Sequence, residues 1–152
     1  MGFAETRIDQ RLLGVTEQGL KEAVAAVVKV PKPTLGPRGT RGIFSLPNAR
    51  AYGEAYDTTF FFKAGRLTRI EQRRAASIDL CDSGYVSLIT QMDLVYGRVG
   101  SSLLGAKTGE GNQSTVWVAD RFKVVAYKFQ NLSLCEFLVA FEPHEVRDAS
   151  EL

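Results

Sequence analysis

Apolar residues recur at Leu20, Ala23, Val24, Val27 and Val28, which are positions i, i+3, i+4, i+7 and i+8 of one helical stripe. Thr16 is placed to cap such a helix, Glu17 complements the positive end of its dipole, and Pro31 with Pro33 forbids its continuation. The pattern predicts a first helix over 16–29. The next twelve residues, PKPTLGPRGTRG, hold three prolines and three glycines and read as a loop. IFSLPN then reads as a short edge strand, because Pro47 would remove a ladder donor from a central one. DTTFFF, KAGR and LTRIEQRR form the clearest hairpin, with Gly65 in the turn and Leu67 and Ile70 facing the core with the Phe60, Phe61 and Phe62 cluster.

A second stripe runs through Tyr85, Leu88, Ile89, Met92, Val95 and Tyr96. It predicts a helix capped by Asp82 or Ser83 and ended by Gly97. The glycine-rich segment 98–113 reads as a connector. Three strands follow, STVWVA, FKVVAYKF and LCEFLVAFE, separated by the turn signals Asp120-Arg121 and 130–133. The polar tail 143–152 is expected to be a short helix or frayed.

The two halves, 14–74 and 80–142, therefore match as helix, glycine-rich loop and antiparallel meander. The expected architecture is a single α+β domain over 1–152, an antiparallel sheet with two helices on one face, consistent with a duplicated α-β-β(-β) unit.

Composition narrows the function classes. With 19 basic and 17 acidic residues the net charge is +2, which supplies no bulk attraction to nucleic acid or an anionic membrane. The longest apolar run, Ala23 to Val28, is far short of the roughly 20 residues of a membrane-spanning helix. The amino terminus lacks the basic and apolar regions of a signal peptide, as expected of a cytosolic chain or of a processed one. His144 lies alone in a polar tail, and no set of ligands has metal-site spacing, so neither a metal, a cofactor nor a catalytic triad is expected. GAKTGEGNQST departs from a phosphate loop because Lys107 precedes Gly109. Arg38 and Arg41 could cradle an anion, and Arg66, Arg69, Arg73 and Arg74 could form a basic stripe, although such charges more often solvate a strand edge. The carboxylate pairs Asp79 with Asp82 and Glu142 with Glu145 are expected to be solvated.

Three consecutive phenylalanines cannot share one side of a strand. Either both faces of that strand are covered or Phe61 is presented to a partner. Cys81 leads into the second helix and Cys135 lies on the final strand, so a helix packed on that strand would bring them into bonding range. The alternative is two buried thiols in a reducing compartment.

The order LLGVTEQGLKEAV, FFFKAGRLTRIE, LCDSGYVSLITQMDLVYG, VWVADRFKVVAYKF and LCEFLVAF resembles small exported bacterial proteins of unassigned function. The likeness rests on Gly14-Val15-Thr16, the hairpin from Phe61 to Leu67, Tyr96-Gly97, Trp117 and Cys135, and it covers most of the chain. The helix-plus-hairpin unit is similar to that of beta-lactamase inhibitor proteins and of small outer-membrane assembly lipoproteins, from which the chain differs in having no lipidation cysteine near its start. The resemblance implies a non-enzymatic binding or scaffolding role in the cell envelope, and directs attention to the hairpin tip and to the loop 101–113. The expected contact residues for a protein partner are Tyr52, Phe61, Arg66 and Arg69, with Cys81 and Cys135 as a staple. Two other classes remain open: a cytosolic dimeric chaperone or accessory protein, and a small ligand-binding domain with a pocket beside Tyr52 and Tyr56.

Overall fold

A computed structural model describes residues 8–97, 101–104 and 112–144. The chain runs α1 (Glu17–Ala23), β1 (Val28–Leu35), β2 (Arg41–Ala51), β3 (Glu54–Lys63), β4 (Arg66–Ala76), α2 (Cys81–Tyr96), β5 (Ser101–Leu104), β6 (Gln113–Val118), β7 (Phe122–Gln130) and β8 (Cys135–Pro143). All eight strands form one antiparallel sheet in the order β1-β2-β3-β4-β8-β7-β6-β5. The fold is α+β, as expected. Each half is a helix followed by a four-strand meander, and the two meanders join last strand to last strand through β4 and β8.

Both helices pack on one face. Leu20 of α1, its C-cap residue Val24, and Tyr85, Leu88, Met92 and Tyr96 of α2 share a core with Phe44, Phe60, Phe62, Leu67, Ile70, Trp117, Val124, Phe137, Val139 and Phe141. The strand residues follow the two-residue alternation that sends every second side chain to the same face. Thr16 caps α1 as expected, its Oγ1 accepting from the Gly19 amide at 3.1 Å. Backbone hydrogen bonds from Gly14 N to Leu67 O and from Leu67 N to Val15 O tie the start of α1 to the β3–β4 hairpin. That hairpin turns at Ala64-Gly65, both with positive φ, as a two-residue primed turn requires.

The first half departs from expectation at its start. Helix α1 ends at Ala23, and Val28 already belongs to a strand. Val27, Val28 and Val30 are β-branched and favour extended backbone, so the apolar spacing that suggested a longer helix continues into β1. The stretch expected to be a loop contributes this edge strand, whose ladder is interrupted between Lys29 and Thr34. Pro31 and Pro33 fall in that interruption, where no ladder donor is lost. Pro47 is also accommodated inside a strand, β2, because its pairing with β3 shifts between Leu46 and Ala49. Asn48 in that bulge has φ +54 and donates its amide to Asp57 Oδ1 at 3.0 Å.

In the second half, α2 begins at Cys81 with Leu80 as N-cap. Neither Asp82 nor Ser83 caps it, and Ser83 Oγ instead donates to the Leu80 carbonyl. Gly97 closes the helix with φ −60. A side chain there would meet the Asp93 carbonyl oxygen at 2.6 Å, so close approach rather than a left-handed cap accounts for the glycine. The expected connector 98–113 contains β5. Lys107, Gly109, the other residues of 105–111 and the tail from 145 lie outside the described residues.

Candidate binding groove beside the second helix

The β2–β3 connection is Tyr52-Gly53, with φ +53 and +80. Such a two-residue turn favours Asn or Gly at its first position, because an L side chain in left-handed backbone costs roughly 1–2 kcal/mol. A tyrosine here is held by its side chain. Its hydroxyl donates to Gln72 Oε1 at 2.8 Å, and its ring meets Tyr56 edge to face, with centroids 5.5 Å apart. Burial raises the Tyr52 phenol well above its ordinary value, with the nearby Tyr96 adding to the effect. Burial likewise raises Tyr56 to about 12. Both phenols therefore remain neutral hydrogen-bonding groups across the physiological range.

Between this turn and α2 lies a groove of about 570 Å³, lined by Tyr52, Arg50 and Gln72 from the sheet, Gln91, Leu94 and Val95 from the helix, and Ile8 and Asp9. A second hollow of about 330 Å³ continues it past Tyr56, Glu54 and Arg74 toward Ser83 and Leu80, and the two share Tyr52 and Gln91. Leu94 is 78% exposed and Val95 56%. Val95 thus stands outside the buried stripe expected for it and forms groove wall. At the far end Leu80 is exposed, as is Leu134, and each directly precedes a cysteine of the bridge described next.

Cys81 and Cys135 form a disulfide, with Cα atoms 5.9 Å apart and both residues buried. It joins the first residue of α2 to the first residue of β8, and so fixes one end of the helix that walls the groove.

The four expected contact residues do not form one surface. Tyr52 lies in the groove. Phe61 and Arg69 are cross-strand partners on the opposite face of the sheet, where Phe61 is only 2% exposed. A side chain at Gly36 would come within 2.6 Å of its ring, so the β1–β2 connection covers Phe61 and both faces of its strand are buried. Arg69 is spent within the protein, on Glu71 Oε2 at 2.7 Å and Glu142 Oε2 at 2.8 Å. Arg66 is exposed at the hairpin tip and donates to the Gly14 carbonyl at 3.3 Å.

The expected basic stripe is likewise divided. Arg73 pairs with Glu136 at 2.6 Å on the same face as Arg69, while Arg74 lies on the helix side, over the Phe137 ring and 3.6 Å from Glu54. Glu142, expected to be solvated, is 5% exposed and accepts from Arg38, Arg69 and Lys123. Burial alone would raise its carboxyl, but hydrogen bonds from Lys123 and Arg38 and the charges of Lys123 and Arg69 outweigh that and hold it below its ordinary value. Arg38 is therefore engaged by a carboxylate rather than placed to cradle an anion.

Gln72, Arg50, Gln91 and Leu94 were not singled out from the sequence. One signal points to Gln72: it alternates with Ile70 in RIEQRR, which puts an amide on the core-facing phase of a strand. Among the described residues no group of three or more His, Cys, Asp or Glu gathers as metal ligands, and no helix is long and apolar enough to cross a membrane. The chain matches no family model, and no significant match exists among curated proteins or solved structures.

Proposed function

We propose that this chain is a non-enzymatic protein-binding domain of the bacterial cell envelope, and that it receives a segment of its partner in the groove between α2 and the β2–β3 turn. The observation that carries this reading is the groove itself, whose floor is Tyr52 and Gln72 and whose wall presents Leu94 and Val95 to solvent. Exposed aliphatic side chains beside convergent polar groups are the usual composition of a binding cleft. The Cys81–Cys135 disulfide supports an oxidising compartment.

A photo-crosslinking residue placed at position 94, on the groove wall, and separately at position 59, on the opposite face, tests the reading in an extract of the native cell envelope. The expected result is one discrete adduct from position 94, lost when Tyr52→Ala is added, and none from position 59. Equal labelling from both positions, or an adduct indifferent to Tyr52, would overturn it.

The small ligand-binding alternative is favoured by one specific observation, since a hollow does lie beside Tyr52 and Tyr56.

A further inference from the structure

On the helix side of the sheet, β3 and β4 carry Phe60 and Ile70 as cross-strand partners in the core. The two-residue alternation puts Glu54 and Tyr56 of β3 and Arg74 of β4 on that same side. All three line the hollow of about 330 Å³, opposite Ser83, Ser87 and Leu88 of α2. That volume is at the low end of the range for ligand pockets, which suits a small molecule better than a chain segment.

Arg74 and Glu54 are the two charged groups of this hollow. They stand 3.6 Å apart, the longest of the described ion pairs and too long for a hydrogen bond. On the other face Arg38 and Arg69 meet Glu142, and Arg73 meets Glu136, at 2.6–2.8 Å. Arg74 is positioned by its neighbours rather than by Glu54. Its guanidinium lies over the Phe137 ring, 5.8 Å from the centroid. Burial raises the Tyr56 phenol and the charge of Arg74 offsets part of that rise, as expected of a guanidinium beside the hydroxyl. Arg74 is partly and Glu54 largely open to solvent, so an incoming group can reach both.

These two charges sum to zero, and that selects the ligand. An anion reaching Arg74 would also meet Glu54, and a cation reaching Glu54 would also meet Arg74. A ligand with both signs on one carbon meets each with its opposite, so that the four charges alternate. Beside the pair, Leu80, Leu88 and Tyr52 supply apolar surface.

We propose that this hollow binds a free α-amino acid with an apolar side chain, its carboxylate accepting from Arg74, its ammonium donating to Glu54, and its side chain resting on Leu80, Leu88 and the Tyr52 ring. The inference deepens the small-ligand reading and rests on this hollow being the ligand site.

The test is isothermal titration of the full oxidised chain with leucine and phenylalanine, each as the free amino acid, the N-acetyl derivative and the amide. These carry both charges, the carboxylate alone and the ammonium alone. A free amino acid should bind about tenfold more tightly than either of its derivatives, the loss of one charge-assisted hydrogen bond. In Glu54→Gln it should fall to the level of the N-acetyl derivative, and in Arg74→Gln to that of the amide. Glu54 is exposed, so its variant should fold, and it keeps the test decisive if Arg74→Gln does not. Ser87→Trp, which fills the hollow from an exposed helix position, should abolish binding. Equal binding of the three forms, or a preference for the free amino acid that survives Glu54→Gln, would overturn the inference, and its loss in Ser87→Trp would leave the hollow standing as a small-ligand site. Binding indifferent to Ser87→Trp would overturn both. No binding of any form would overturn the amino acid as ligand.

Discussion

The two faces of this sheet bury their residues by different physics. The helix side is closed by apolar packing, with Phe60, Ile70, Trp117, Val139 and Phe141 at 0–1% exposure and a disulfide at one end. The other side has no described α-helix, and its central strands are covered instead by a ladder of charges, Arg38, Arg69 and Arg73 interleaved with Glu71, Glu136 and Glu142. Hydrophobic contact is nondirectional and tolerates a gap, whereas an ion network occupies its members fully. The helix face can therefore leave a groove beside Tyr52 without losing its core. The charged face, which holds two of the four residues expected to bind a partner, has its arginines already engaged.

The largest effect should come from cutting the staple on the helix face. The bridge closes a separation of 54 residues, worth about 4 kcal/mol on the chain-entropy account. For a chain of this length that corresponds to a melting temperature lower by about 8–16 °C. Cys81→Ser with Cys135→Ser, followed by calorimetry, should show it, and reduction of the unmodified protein should reproduce it. A melting curve unmoved by either would mean that packing alone holds α2 in place.

On the opposite face Glu142→Gln should cost about 1–2 kcal/mol, because Arg38 and Arg69 share its Oε2 and Lys123 takes its Oε1, and the amide keeps one oxygen and loses the charge. Its carboxyl is held below the ordinary value in the folded protein. The stabilisation is thus complete above that ordinary value and is lost as pH falls through the lower, folded one. Acid titration of the melting temperature should be shallower in Glu142→Gln than in the parent. The helix face has the opposite dependence. Tyr52 and Tyr56 are raised, so the unfolded chain ionises first, and stability should decline from about pH 10 until Tyr56 itself ionises near about 12. Tyr56→Phe should lessen that decline. Two unchanged profiles would remove the contrast between the faces.

The sequence makes much of the helix face legible and little of the groove. Helix α2, the β3–β4 hairpin and β6, β7 and β8 are legible, because their apolar residues and turn signals are local and no proline interrupts them before Pro143. In β1 and β2 the periodicity fails, since prolines at 31, 33 and 47 sit where the ladders shift, and a bulge is set by pairing with a distant strand. The disulfide could be anticipated from the placement of its two elements. Tyr52 could be noticed as an aromatic, but its role depends on Gln72, twenty residues away. Glu142 could not be recognised as buried, because its partners Arg38 and Arg69 lie 104 and 73 residues away.

The smallest expected effect bears most directly on the groove. Tyr52 occupies a turn position suited to asparagine, so its retention is attributable to its side chain rather than its backbone. Tyr52→Ala and Tyr52→Asn both remove the hydroxyl that reaches Gln72 and the ring that meets Tyr56. Only asparagine adopts the left-handed backbone of this turn with ease. Asparagine should therefore be the more stable of the two by about 0.5–1 kcal/mol, while both lose the partner adduct from position 94 equally. Urea titration measures the first and crosslinking the second. If the asparagine variant kept its adduct, the turn rather than the phenol would be shaping the groove, and Tyr52 would be reduced to a packing residue of the helix face.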